Sequence, residues 1–311
     1  MRYLLLFSAV LILSGCSASK ATNDFIFPTA EGKQKYIESY NKTLSLWGVP
    51  YQEKEVETSF GTAHVIISGP ENGEPVVLFH GTDSSSTMWF PNASALSEKY
   101  RIYAIDYPVE AGKSVLNQPD LSTVEMVKFY NEVFDFFKMK NINLVAASRG
   151  GWIATYLALQ PDNKVKKLIL LSPAQTFGWV DKKGKALSAM ALKFFPSKKR
   201  LDKFFYRFSD FPEKIDDKYK EQFYLANKYG KSKPGLTKMI KFSESKIRSL
   251  KIPVMVFVGE HDVINNAKSL DKAKELLPNA ETILVKNAGH FLSIDQSELV
   301  NKKIIEFLDK N

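Results

Sequence analysis

Cysteine occurs once in the 311 residues, at Cys16, so no disulfide can form within one chain. Histidine occurs four times, at His64, His80, His261 and His290, without the spacing of a metal site. No glycine-rich phosphate loop and no dinucleotide fingerprint is visible. Metal- and nucleotide-dependent chemistry therefore has no signature here, and no cofactor is expected. Long apolar runs are scarce. The run from Leu4 to Leu13, "LLLFSAVLIL", is too short to span a bilayer.

What is present begins with that run. Behind Met1, Arg2 and Tyr3 it reads as the apolar region of a signal peptide. It ends in "LSGC", Leu13 to Cys16, which resembles the lipobox of bacterial lipoproteins. That resemblance implies a lipid on Cys16 and a place outside the cytoplasm, at the cell membrane or envelope. The small, polar stretch Ser17 to Asp24 suits a tether. The division expected is a signal peptide over 1–15, a tether over 16–30, a core over 31–175 and 251–311, and a cap over 176–250.

Beyond the tether, helical and strand patterns alternate. Lys35–Trp47 has helical spacing. "YQEKEVETSF" and "AHVIISG" read as two strands, with Gly61-Thr62 as the hairpin turn. Pro75–Gly81, Arg101–Tyr107, Ile142–Ser148, Lys166–Pro173 and Pro253–Asp262 are short apolar runs of the kind buried on both faces. Helices are expected between them. The alternation predicts an α/β fold with a mostly parallel sheet and helices on both faces. Segment 176–250 breaks the rhythm. It holds 19 Lys and Arg against 8 Asp and Glu, a surplus of 11 in a chain whose net charge is +9. It reads as a basic, aromatic-rich helical insertion over one end of the sheet.

In a parallel sheet the carboxyl ends of the strands converge on one crevice. His80, Gly81 and Thr82 stand at the end of one strand, and Ser148 ends another. "GEHD" (Gly259–Asp262) and "NAGH" (Asn287–His290) end two more. Ser, Asp and His thus stand at strand ends in that chain order. "AASRGG" is similar to the nucleophile elbow of the α/β-hydrolase superfamily, with Ala146 and Gly150 as the small flanks. "FHG", "GEHD" and "NAGH" resemble that family's oxyanion turn, acid loop and histidine loop. "GTDSSSTMWFPN" looks most like its small bacterial carboxylesterase branch. The resemblance implies an eight-stranded sheet with the cap inserted after the sixth strand.

It also implies roles. Ser148 is the expected nucleophile, His290 its base and Asp262 the acid that orients the imidazole. The backbone N–H groups of Arg149 and Thr82 are the expected oxyanion hole. Gly81 and Trp179 are expected to touch substrate. Among the rivals, His80 is expected to be structural, His261 to point away, and His64 to lie on the surface. Glu260 and Asp106 are lesser candidates for the acid. Ser84, Ser85 and Ser86 are expected to solvate and cap their loop. "YPVEAGKS", after Asp106, departs from the glycine-rich pattern common in relatives. The Arg149 side chain is expected either in a salt bridge or on an anionic group of the substrate.

These residues point to a membrane-anchored serine hydrolase acting on a small-molecule carboxylic ester through an acyl-enzyme. Thioester, lactone or N-terminal peptide hydrolysis on the same triad stays open, as does a ligand-binding or sensory lipoprotein with negligible turnover. The expected partners are the ester, the membrane through Cys16, and an anionic envelope surface at the basic cap. Nucleic acid is not expected, since exported lipoproteins seldom meet it.

Overall fold

The computed structural model describes residues 24–178, 187–231 and 239–310. Nine strands build one sheet: β1 (Tyr51–Thr58), β2 (Gly61–Ser68), β3 (Pro75–Phe79), β4 (Arg101–Ile105), β5 (Val115–Leu116), β6 (Ile142–Ala147), β7 (Val165–Leu171), β8 (Val254–Gly259) and β9 (Glu281–Val285). Their order is β1-β2-β4-β3-β6-β7-β8-β9, with the two-residue β5 added on β2. The main path thus has the expected eight strands, and β5 is a ninth. Both pairings of β2 within that path are antiparallel; from β4 to β9 all are parallel. The path reverses around β3, whose neighbours are β4 and β6. A crevice opens at such a switch point, outside the carboxyl ends of the strands.

The inner strands are apolar throughout because both faces are covered. Within β3, Val76 and Leu78 join one core while Val77 and Phe79 join the other. Helices Ala30–Leu44, Phe90–Ser97 and Ser297–Leu308 supply Tyr36, Tyr40, Leu96 and Ile304 to the first core. Helices Thr123–Phe136, Arg149–Ala158 and Ala267–Leu276 supply Phe129, Trp152 and Leu270 to the second. Each fully buried Leu, Ile, Val or Phe is worth about 1.5–3 kcal/mol of transfer free energy. Two such layers hold the strand ends as a rigid platform.

Three details differ from expectation. The hairpin turns on Ser59-Phe60, and Gly61 already pairs with Thr58. Gly61 is required there by φ 130° and by Val115 O, which would lie 2.1 Å from a Cβ. Folded structure is already present within the stretch 16–30 that was expected as a tether: Ile26 and Phe27 are buried, Asp24 Oδ1 accepts both their N–H groups, and Ile26 O accepts Lys231 N–H. His64 is buried instead of exposed, because β2 is covered on both faces.

Between β7 and β8 stand the cap helices Leu187–Phe194, Lys198–Phe208 and Asp217–Tyr229. The last of these packs along Ala30–Leu44. The end of the inserted segment leaves the cap. There Trp152 Nε1 donates to Ile240 O at 3.0 Å and Phe242 stacks on Trp152. No helix among the described residues is long and apolar enough to cross a membrane. The signal-peptide and lipobox residues, Cys16 included, lie outside the described residues, as does Trp179.

Candidate active site

Ser148 sits between β6 and helix Arg149–Ala158 at φ 51°, ψ −115°. That region is sparsely populated and costs about 1–3 kcal/mol for a residue with a side chain. The surroundings impose it. Ser148 N–H donates to Leu171 O at 2.9 Å, and Ser148 O accepts from Gly151 and Ala174, both at 3.0 Å. The small flank is required by contact: a Cβ on Gly150 would lie 2.5 Å from Phe79 O and 2.7 Å from His80 O. The turn after β3 lies against the serine, since a Cβ on Gly81 would meet Ser148 Cβ at 3.3 Å. Arg149 N–H opens the helix, at the positive end of its dipole.

His290 and Asp262 come from the loops after β9 and β8. His290 Nδ1 lies 2.9 Å from Asp262 Oδ1. An ionised carboxylate only accepts, so Nδ1 carries the proton and Nε2 is left for the serine side. Asp262 also accepts Ile264 N–H at 2.8 Å and Asn265 Nδ2–H at 3.3 Å. Burial alone would raise its pKa. The His290 charge and the hydrogen bonds from His290 and Ile264 N–H outweigh that and hold it below the usual carboxylate value.

Ser148, His290, Gly81 and Thr82 line one cavity of about 190 Å³. Its other walls are mostly apolar: Met88 and Leu171 from the core, Leu192, Phe204, Phe208 and Phe223 from the cap. An apolar cavity of ~150 Å³ holds one benzene. This one has room for an aromatic ring or a short acyl chain.

A family model described as the alpha/beta hydrolase fold matches residues 74–297. The chain is an α/β hydrolase. It is 31% identical over 283 residues to the uncharacterized carboxylesterase nap of Bacillus subtilis (strain 168), covering 88% of this chain and 92% of that one. Carboxylesterase YbfK of the same organism is 25% identical over 298 residues, covering 91% and 96%. The crystal structure of naproxen esterase from Bacillus subtilis superposes with a TM-score of 0.85 at 30% identity, covering 90% of this chain and 99% of that one. This hydrolase lies in the carboxylesterase-like branch, and its class of enzyme is carboxylic ester hydrolase.

The rivals in the hydrolase have other partners. His80 Nε2 accepts Tyr107 N–H at 2.8 Å and its Nδ1 bonds Gly81 O at 2.9 Å, so it is a buried strut of the turn. His261 faces Asp210 at 2.6 Å, and Glu260 accepts Asn287 N–H at 3.1 Å. Asp106 is buried against His64 at 3.3 Å and accepts the N–H of Ser86 and of Lys113, each at 2.8 Å. Glu53 lies 2.9 Å from the other His64 nitrogen. The serines 84–86 are buried, contrary to expectation. Ser84 bonds Tyr219 at 2.8 Å and Ser85 accepts Gln222 Nε2–H at 2.8 Å, so their loop is fastened to the cap.

Sequence reasoning missed Glu110. It lies in the departing segment "YPVEAGKS" and forms a buried ion pair with the Arg149 side chain. The salt-bridge alternative for Arg149 is therefore the one the structure contains. Its signal was an acidic residue between two small apolar ones, Val109 and Ala111, with no role of its own. Asp295 was also missed. It accepts from Gly289 N–H at 2.8 Å, Asp210 N–H at 3.0 Å and Ser209 Oγ–H, and so joins the histidine loop to the cap.

Proposed function

We propose that the hydrolase cleaves small carboxylic esters through an acyl-enzyme on Ser148. His290 Nε2 takes the proton as Ser148 Oγ attacks the acyl carbon. The carbonyl oxygen becomes an oxyanion facing the N–H groups of Arg149 and Thr82. His290 then protonates the departing alcohol, and the acyl group stays on Ser148. Water, deprotonated by His290, releases the acid and restores the serine. Asp262 keeps the imidazole in the required tautomer and stabilises its cationic form.

The observation that carries this reading is a strained serine lining one apolar cavity with a histidine that Asp262 holds from behind. A peptidase needs a carboxylate for the substrate's amine; the one in the cavity wall, Asp83, is paired with Lys193 at 2.6 Å. The cavity size favours short or single-ring acyl groups. Aromatic acyl esters enter the test set because a similar protein is named a naproxen esterase.

The anchor is part of the proposal. A lipid on Cys16 would hold the enzyme at an extracytoplasmic membrane surface. In support, the chain enters the fold beside the cap, where Ile26 O accepts Lys231 N–H. The cap presents Phe194 and Phe195, 68% and 66% exposed, next to Lys198, Lys199 and Arg200. Such a surface suits anionic headgroups.

Hydrolysis of p-nitrophenyl esters of increasing acyl length by wild type and Ser148→Ala tests the chemistry. Loss of the nucleophile is expected to cost on the order of 10⁶ in rate; turnover retained in Ser148→Ala would refute it. Fractionation of cells carrying wild type or Cys16→Ser tests the anchor: the variant is expected to leave the membrane fraction, and equal membrane retention would refute it.

A further inference from the structure

One buried pair is left unused by that mechanism. Glu110 and Arg149 are 1% and 2% exposed, and Arg149 Nη1 contacts Glu110 Oε1. Neither side chain lines the cavity. Arg149 is thus not a receptor for an anionic substrate, since its charge already faces a carboxylate outside the cavity. The second oxygen, Glu110 Oε2, accepts Asp83 N–H at 3.1 Å. Asp83 follows Thr82 directly, at φ 57°. Its own carboxylate meets Lys193 of cap helix Leu187–Phe194 at 2.6 Å.

We propose that Glu110 is the positioning residue of the oxyanion hole. This rests on the hole assigned above to the N–H groups of Arg149 and Thr82. Those amides come from segments far apart in the sequence, the end of β6 and the turn after β3. One carboxylate grips both: Oε1 holds the residue whose amide is the first donor, and Oε2 holds the amide next to the second. Asp83 and Lys193 extend the link to the cap, so cap docking and the shape of the hole are one arrangement.

The energetics favour a geometric role. A buried Arg–Glu pair returns little net stability, because desolvation offsets most of its Coulomb energy. What it does supply is direction, two fixed contacts at two bearings from one planar group. Fixed donors matter here. Losing one oxyanion donor costs about 10²–10³ in kcat, and a displacement of ~1 Å costs about 10².

The test uses the full chain and three variants. Glu110→Gln keeps the size and an acceptor for Asp83 N–H but removes the charge facing Arg149. Glu110→Ala removes both contacts. Lys193→Met removes the outer link to Asp83 and leaves both contacts of Glu110 in place. For each, kcat and KM on a short p-nitrophenyl ester are measured per site titrated with fluorophosphonate. The inhibition constant of a trifluoromethyl ketone, which forms an oxyanion on the serine, is measured beside them. The expected losses in kcat are about tenfold for Glu110→Gln and about 10² for Glu110→Ala, with KM within about threefold. Ketone affinity is expected to fall in step with kcat/KM. A change of less than threefold in kcat, or a rise in KM with kcat held, overturns the proposal. So does a fall in Tm alone. If Glu110→Ala does not fold, Glu110→Gln and Lys193→Met decide it. Lys193→Met is expected to lose about three- to tenfold in kcat at constant KM, and an unchanged kcat overturns the link. A wild type that neither labels on Ser148 nor turns over defeats the serine mechanism and this proposal together. A labelled wild type with unchanged Glu110 variants defeats this proposal alone.

Discussion

Replacing Asp262 by Asn changes one charge and almost no volume. The carboxylate accepts from His290 Nδ1, Ile264 N–H and Asn265 Nδ2, so it is held as an acceptor on three sides. An amide in its place loses the negative charge and offers an NH₂ group where only acceptors are wanted. The imidazole is then free to carry its proton on Nε2, the nitrogen that must act as base. With Nδ1 and Oδ1 2.9 Å apart, the charge centres of imidazolium and carboxylate are about 4 Å apart. At an effective dielectric of ~20 that attraction is about 4 kcal/mol. At 1.36 kcal/mol per decade it corresponds to about 10³ in rate. In a serine protease the same change costs about 10⁴, with the wrong tautomer as the cause. The expected loss in kcat/KM for Asp262→Asn is therefore about 10³–10⁴. The assay is steady-state hydrolysis of a short p-nitrophenyl ester, with Tm measured on the same preparation. A loss below tenfold in a folded variant would refute the assignment of Asp262 and return attention to Glu260.

Further expectations concern the elbow, the cavity and pH. Gly150→Ala drives a Cβ into Phe79 O and His80 O, so fluorophosphonate labelling should fall at least 10²-fold; near-normal labelling would mean the helix can shift. Leu192→Ala, at a buried cavity wall, should cost about 2–5 kcal/mol and move the acyl-length optimum upward. An unmoved optimum would place the acyl group elsewhere. Burial works against a charged His64, yet Asp106 and Glu53 prevail and raise its pKa above 6.5. That stabilisation is complete below pH 6.5 and is lost as pH rises through the folded value. Burial would raise Asp106 and His64 lowers it; Glu53, bonded first to His64, falls from 4.5 to about 2. Their stabilisation is present above pH 4.5 and is lost on acidification. The stability gap between wild type and His64→Gln should be widest from pH 4.5 to 6.5 and narrow above it. A gap that widens from pH 6.5 to 9 in denaturant titrations would contradict the network.

The strand ends were legible because buried parallel strands write themselves as short apolar runs. Ser148 and Asp262 each follow such a run, whereas His290 follows the partly exposed edge strand β9; their roles came from the resemblance of their loops to the family's motifs. What was not legible depends on contacts between distant segments. Glu110 lies in a stretch with no periodicity, and only packing against Arg149 gives it a meaning. His64, in the early hairpin, was expected on the surface, but helix Ala30–Leu44 brings Tyr40 over it, with the rings 5.7 Å apart. Ile26 and Phe27 look like the end of a tether until the cap brings Lys231 against them. The polar run Ser84–Ser86 reads as solvated loop, yet Tyr219 and Gln222 arrive from the cap and bury it. In each case a local pattern was overruled by an element placed there by the fold.

The central claim is that Ser148 is the nucleophile. Peptide mapping by mass spectrometry after stoichiometric fluorophosphonate treatment tests it most directly. A single adduct on Ser148, formed as ester hydrolysis disappears, is the predicted result. An adduct on Ser84 or Ser172, or full inhibition with Ser148 unmodified, would contradict the account.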